Sequence, residues 1–125
     1  MPAKIATSNR TVPVSIAPEV GELAVGLLIS AARRIAESDR YVRAGKWEAA
    51  PFQMGRAAAG LRCGIFGLGE VGMEFAKRAA PLVKSLAYCD IAPRTGVSYQ
   101  YYSDLETMAR ECDCIVVAVK LTPAT

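Results

Sequence analysis

Residues 62–72 read R-C-G-I-F-G-L-G-E-V-G. The opening R-C-G-I-F-G is a short apolar strand, and E-V-G-M-E-F-A-K-R-A-A from Glu70 has the pattern of a helix. Between them Gly67, Gly69 and Gly72 form G-x-G-x-x-G. That spacing is weak evidence alone and gains force from its setting, a buried strand before it and a helix after it. A second strand follows at S-L-A-Y-C-D, ending in Asp90, eighteen residues beyond Gly72. Each residue then has a physical task. Gly67 permits the tight turn out of the strand, and Gly69, without a Cβ, lets a pyrophosphate approach the backbone. Gly72 lets the helix lie close to the strand. The amides of Glu70 and Val71 open the helix and face the phosphates with the positive end of its dipole. Asp90 accepts from the adenosine ribose hydroxyls and repels a 2′-phosphate, which favours NAD, whereas Arg94 just beyond it admits NADP.

Downstream, Ala92 to Gly96 reads as a loop and Val97 to Tyr102 as a short β-prone segment. Ser103 with Glu106 makes a capping box for a helix that stops near Cys112. C-I-V-V-A-V, from Cys114, is a third strand, apolar enough to be buried on both faces. From Leu61 onward the order is βαβαβ, the half-unit of an α/β Rossmann-type parallel sheet.

Upstream, a long helix is expected from about Ser15 to past Arg40, with Pro18 in its first turn. Val20, Leu23, Ala24, Leu27, Leu28, Ala31 and Ile35 trace its buried stripe. Residues 41–60 read as a surface connector with Trp47 as its anchor, and Ile5 to Thr7 as the tail of a strand.

Composition narrows the class. A chain of 125 residues, 52% hydrophobic with a net charge of +3, holds one modest core. Its Lys and Arg are scattered, so it lacks the concentrated basic face of a nucleic-acid binder. The most apolar run, Val20 to Ala32, is broken by Gly21, Glu22, Gly26 and Ser30 and is too short for a membrane span. Three of the four cysteines (Cys63, Cys89, Cys114) fall in strands as small hydrophobes, and Cys112 sits at a helix end. With no histidine, no metal site is expected. A cytoplasmic protein is expected.

Four segments resemble the D-isomer-specific 2-hydroxyacid dehydrogenases, glyoxylate and hydroxypyruvate reductases in particular: P-E-V-G-E-L-A-V-G-L-L-I-S-A-A-R-R-I, Y-V-R-A-G-K-W, G-I-F-G-L-G-E-V-G and D-C-I-V-V-A-V-K-L-T-P-A-T. The resemblance implies that residues 1–14 are a remnant of a substrate domain and linker. Residues 15–60 are then the interdomain hinge helix and connector, and 61–125 the N-terminal half of a dinucleotide-binding domain. It implies a homodimer and a small 2-keto or 2-hydroxy acid as substrate of the full-length protein. Gly67, Gly69, Glu70, Val71, Gly72 and Asp90 would hold NAD or NADP, with Val119 and Thr122 beside them. The family's catalytic Arg, Glu and His would lie beyond Thr125, so this chain alone is expected to be inactive. Departures are Glu70 where a basic residue is common, Ala118 and Lys120 beside the adenine pocket, and Val83 near a usual glycine; they imply altered cofactor binding. Rival readings are an NAD-binding transcriptional corepressor of the same fold, and another Rossmann enzyme such as a homocysteine hydrolase or a methyltransferase.

Overall fold

The computed structural model describes residues 15–125; the strand tail expected at Ile5–Thr7, and the 1–14 segment with it, lie outside the described residues. Strands β1 (Arg62–Phe66), β2 (Ser85–Cys89), β3 (Gln100–Tyr102) and β4 (Cys114–Val117) form one sheet in the order β3-β2-β1-β4. All the pairings are parallel. Helices α1 (Ala17–Arg33), α2 (Ile35–Arg43), α3 (Glu70–Ala79) and α4 (Leu105–Glu111) complete the described elements with two short 3₁₀ turns.

Alternation along the strands sorts the core. Cys63, Ile65 and Tyr88 point to the side where Phe75, Ala76 and Ala79 of α3 and Leu28 of α1 pack. Ala87 and Cys89 point to the other side, against Met108 of α4. Two covered faces explain why β1 and β2 read as continuous apolar runs. The β-prone segment after Asp90 becomes an added strand. β3 pairs with β2 in the register Tyr88↔Tyr101, and the two tyrosine rings meet at 5.4 Å between centroids.

The first helix differs from its expected form in two ways. It breaks at Arg34, whose φ of 57° is left-handed, and resumes as α2. Such a residue costs roughly 1–2 kcal/mol unless its surroundings hold it. Here the guanidinium bonds Glu37 and the Gln53 carbonyl and lies 4.9 Å over the Phe52 ring. Its packed stripe is also rotated. Ala17, Gly21 and Leu28 are buried, while Leu23 and Leu27 are each 62% exposed. Close approach to α3 decides this, because a Cβ on Gly21 would lie 2.8 Å from the backbone of Glu74 and Phe75. A face of small residues can approach that closely and a leucine face cannot.

Three further expectations are corrected. Trp47 is 60% exposed; the connector is pinned instead by Tyr41, whose ring meets Phe52 in a tilted contact and whose hydroxyl donates to the carbonyls of Lys46 and Ala50. The cap of α4 is Asp104, one residue past Ser103, whose carboxylate accepts from Thr107 N–H at 2.7 Å. Both residues suit an N-cap, and the turn after β3 selects the second. β4 is only half covered, with Val117 69% exposed, because it is the end strand of the described sheet.

Candidate dinucleotide-binding site

The C-terminal ends of β1, β2 and β4 converge on a cleft of about 700 Å³. Gly67, Gly69, Asp90, Val119 and Thr122 all line it. Gly67 leaves β1 with φ 92° and donates its N–H to Cys89 O at 2.9 Å. A side chain there would be strained, and its Cβ would lie 2.5 Å from Val119. Gly72 lies beneath the turn, where a Cβ would stand 2.2 Å from Gly67 O. Gly69 differs from both. Its φ of −78° suits any residue, and nothing lies within 4 Å of where its Cβ would be. The folded chain itself has no need of a glycine at 69.

Helix α3 starts here. The first intrahelical bond runs from Met73 N–H to Gly69 O, and no side chain caps the helix. The amides of Glu70, Val71 and Gly72 precede that bond, as the first amides of a helix must. The Glu70 and Val71 side chains leave the cleft. Glu70 accepts from the Ser15 hydroxyl at 3.3 Å on a neighbouring flank, and Val71 turns into the apolar groove between α1 and β4. Their amides stay at the start of α3, and the Glu70 carboxylate is drawn toward Ser15, just before α1.

Asp90 sits at the tip of β2. Its Oδ2 accepts from Leu68 N–H at 3.0 Å and its Oδ1 from Ile91 N–H at 2.8 Å. The loop beyond it is braced by two tyrosines not anticipated from the sequence. Tyr101 donates to Asp90 O at 3.2 Å, and the buried Tyr88 hydroxyl accepts from Arg94 N–H at 2.8 Å. Arg94 lines both this cleft and the Glu70 flank. Burial pushes the Cys89 thiol up, with Asp104 and Asp90 adding to the shift, so Cys89 lines the cleft as a neutral group. Hydrogen bonds from the Thr107 hydroxyl and amide hold Asp104 below the usual carboxylate range. Among the described residues no three His, Cys, Asp or Glu converge as a metal site.

The fit for a dinucleotide is therefore good: uncapped helix amides, a bare turn with open space over Gly69, and a carboxylate at the next strand tip. The family model for D-isomer specific 2-hydroxyacid dehydrogenase, NAD binding domain, matches residues 25–125. The chain belongs to that family. It is 38% identical over 113 residues to a glyoxylate/hydroxypyruvate reductase A of Arabidopsis thaliana, covering 90% of this chain and 36% of that protein. It is 39% identical to a hydroxypyruvate reductase of Thermotoga maritima, covering 90% of this chain and 37% of that protein. Among solved structures, the NADPH-dependent glyoxylate/hydroxypyruvate reductase of Sinorhizobium meliloti, in complex with NADP and malonate, superposes with a TM-score of 0.82. It is 30% identical, over 90% of this chain and 36% of that one. The chain thus spans little more than a third of the length of these relatives. The fold is the Rossmann-like α/β sheet of the family's NAD-binding domain. These relatives carry reductase names.

Proposed function

We infer that this domain holds the cofactor for a full-length NAD(P)-dependent oxidoreductase that interconverts a small 2-keto acid, such as glyoxylate or hydroxypyruvate, with its D-2-hydroxy acid. One observation carries the reading: Asp90 and the Gly67–Gly69 turn share one cleft at the strand tips, with α3 opening beneath them. The amides of Glu70, Val71 and Gly72 would take the pyrophosphate at the helix's positive end. Asp90 would take the ribose hydroxyls, Val119 and Thr122 would line the adenosine side, and Arg94, which lines the same cleft, would be a cation for a 2′-phosphate. When bound, the cofactor supplies the hydride. This chain has no histidine, and by the family resemblance the proton donor would be a residue outside this sequence. By the same family resemblance residues 1–14 would belong to the substrate domain, 15–60 to the hinge and connector, and 61–125 to the cofactor domain.

A homodimer is supported by the exposed apolar residues of α1, Leu23 and Leu27. A cytoplasmic setting is supported by four cysteines that are all free thiols. Among the described residues no helix is long and apolar enough to cross a membrane.

Calorimetric titration with NAD and NADP tests the reading. Asp90→Ala should weaken NAD by about 10-fold or more, the loss of hydrogen bonds to a charged group, and NADP by less, because repulsion of its phosphate is relieved. Equal losses for the two dinucleotides would remove Asp90 as the ribose reader. Failure of the unaltered protein to bind either one would remove the whole reading.

A further inference from the structure

One side chain crosses between the two halves of the proposed site. Leu68, between Gly67 and Gly69, has a fully buried side chain, and its amide donates to Asp90 Oδ2 at 3.0 Å. Besides the buried Leu68 side chain, the turn has few other polar anchors. Gly67 N–H reaches Cys89 O, and the next amide along the chain with a backbone acceptor is that of Met73. Gly69 has no neighbour within 4 Å of a Cβ position. The Asp90 carboxylate therefore grips the turn at its middle residue. A second bond, from Ile91 N–H to Oδ1, and the Tyr101 hydroxyl on the Asp90 carbonyl fix that carboxylate in turn.

From this geometry we propose that Asp90 is a positioning residue for the phosphate cradle as well as the reader of the ribose, latching the glycine turn through the Leu68 amide. The proposal rests on the reading of residues 67–72 as that cradle. The two tasks do not compete. A carboxylate offers about four lone-pair directions, and the two amides leave the others for ribose hydroxyls. The latch is a charge-assisted bond, about twice as strong as a neutral one. Without it the Leu68 amide turns to water and the turn samples arrangements in which the α3 amides no longer converge. Affinity then falls with the fraction of protein in the competent arrangement, whether or not the ligand carries hydroxyls.

Two ligands and two variants separate reading from latching. ADP carries the ribose hydroxyls; 2′,3′-dideoxy-ADP keeps the diphosphate and leaves Asp90 nothing to read. Asp90→Ala removes the acceptor, while Asp90→Asn keeps an oxygen for the Leu68 amide. The expected result is that Asp90→Ala weakens dideoxy-ADP by about tenfold, the worth of one hydrogen bond to a charged group. Asp90→Asn should return dideoxy-ADP binding only part of the way, because its single oxygen makes a neutral bond and its NH2 group would face the Ile91 N–H. In the ligand-free protein, NMR should show Leu68 amide exchange accelerated by Asp90→Ala and less so by Asp90→Asn. Unchanged dideoxy-ADP affinity together with unchanged Leu68 exchange in Asp90→Ala would overturn the latch and leave Asp90 a reader of hydroxyls alone. If the unaltered protein binds no ADP, the cradle reading fails, and Leu68 exchange still decides whether the latch exists.

Discussion

Replacing each of two glycines by alanine should separate folding from binding. At Gly72 the new methyl would stand 2.2 Å from Gly67 O, a backbone atom that cannot swing aside. Ordinary carbon–oxygen contact needs about 1 Å more, so α3 must lift from β1 and disturb the packing of Phe75 and Ala76, both fully buried. Overpacking of this kind costs roughly 1–3 kcal/mol. At Gly69 no atom lies within 4 Å of the methyl, and the backbone at φ −78° accepts alanine without strain. Loss of glycine's freedom in the unfolded chain stabilises by about 0.4–1 kcal/mol. Poorer helix capping by alanine offsets this by a similar amount. Gly69→Ala should therefore unfold at nearly the same urea concentration as the unaltered protein while binding NAD at least about tenfold more weakly, its methyl occupying space meant for phosphate. Gly72→Ala should lose stability and binding together. Urea unfolding followed by circular dichroism, beside calorimetric NAD titration, reads both quantities. Retention of full NAD affinity by Gly69→Ala, or destabilisation as large as that of Gly72→Ala, would refute the reasoning.

Asp104→Ala should cost about 0.5–2 kcal/mol as a lost N-cap and Ser103→Ala much less, read as shifts in the urea midpoint; the reverse order would return the cap to Ser103. The side chain and backbone of Arg62 hold the Asp113 carboxyl well below the usual carboxylate range, with Arg56 contributing. A depressed carboxylate stabilises above its unfolded value, near pH 4, and that contribution is lost as pH falls toward the folded value. Asp113→Asn should accordingly flatten the decline of stability between about pH 5 and about pH 2, and an unaltered decline would show that the group is not linked to folding. The neighbouring Cys114 and burial push the Cys63 thiol up, while the partly buried Cys114 is lowered by the same neighbour. Brief alkylation of the native protein, mapped by mass spectrometry, should label Cys114 before Cys63; labelling in the opposite order would contradict the burial assigned to β1.

Much of the site was legible along the chain because its chemistry is local. A glycine turn between strand and helix, and an acid at the next strand tip, are set by residues adjacent in sequence, and short apolar runs mark β1 and β2. The pieces that were misplaced depend on neighbours far along the chain. Leu23 and Leu27 share the expected stripe with Leu28, and the close contact of Gly21 with Glu74 and Phe75 decides that Leu28 is buried and the other two are not. Arg34 is an ordinary helix former until Phe52 and Gln53 fold back and hold it in a left-handed conformation. Ser103 and Asp104 compete for one cap on equal chemical terms, and the exit from β3 decides between them. The grip of Asp90 on Leu68 joins residues 22 apart, a distance that periodicity does not encode. Local spacing could supply the parts of a dinucleotide cradle, whereas their assembly had to wait for two parallel strand tips to be brought side by side.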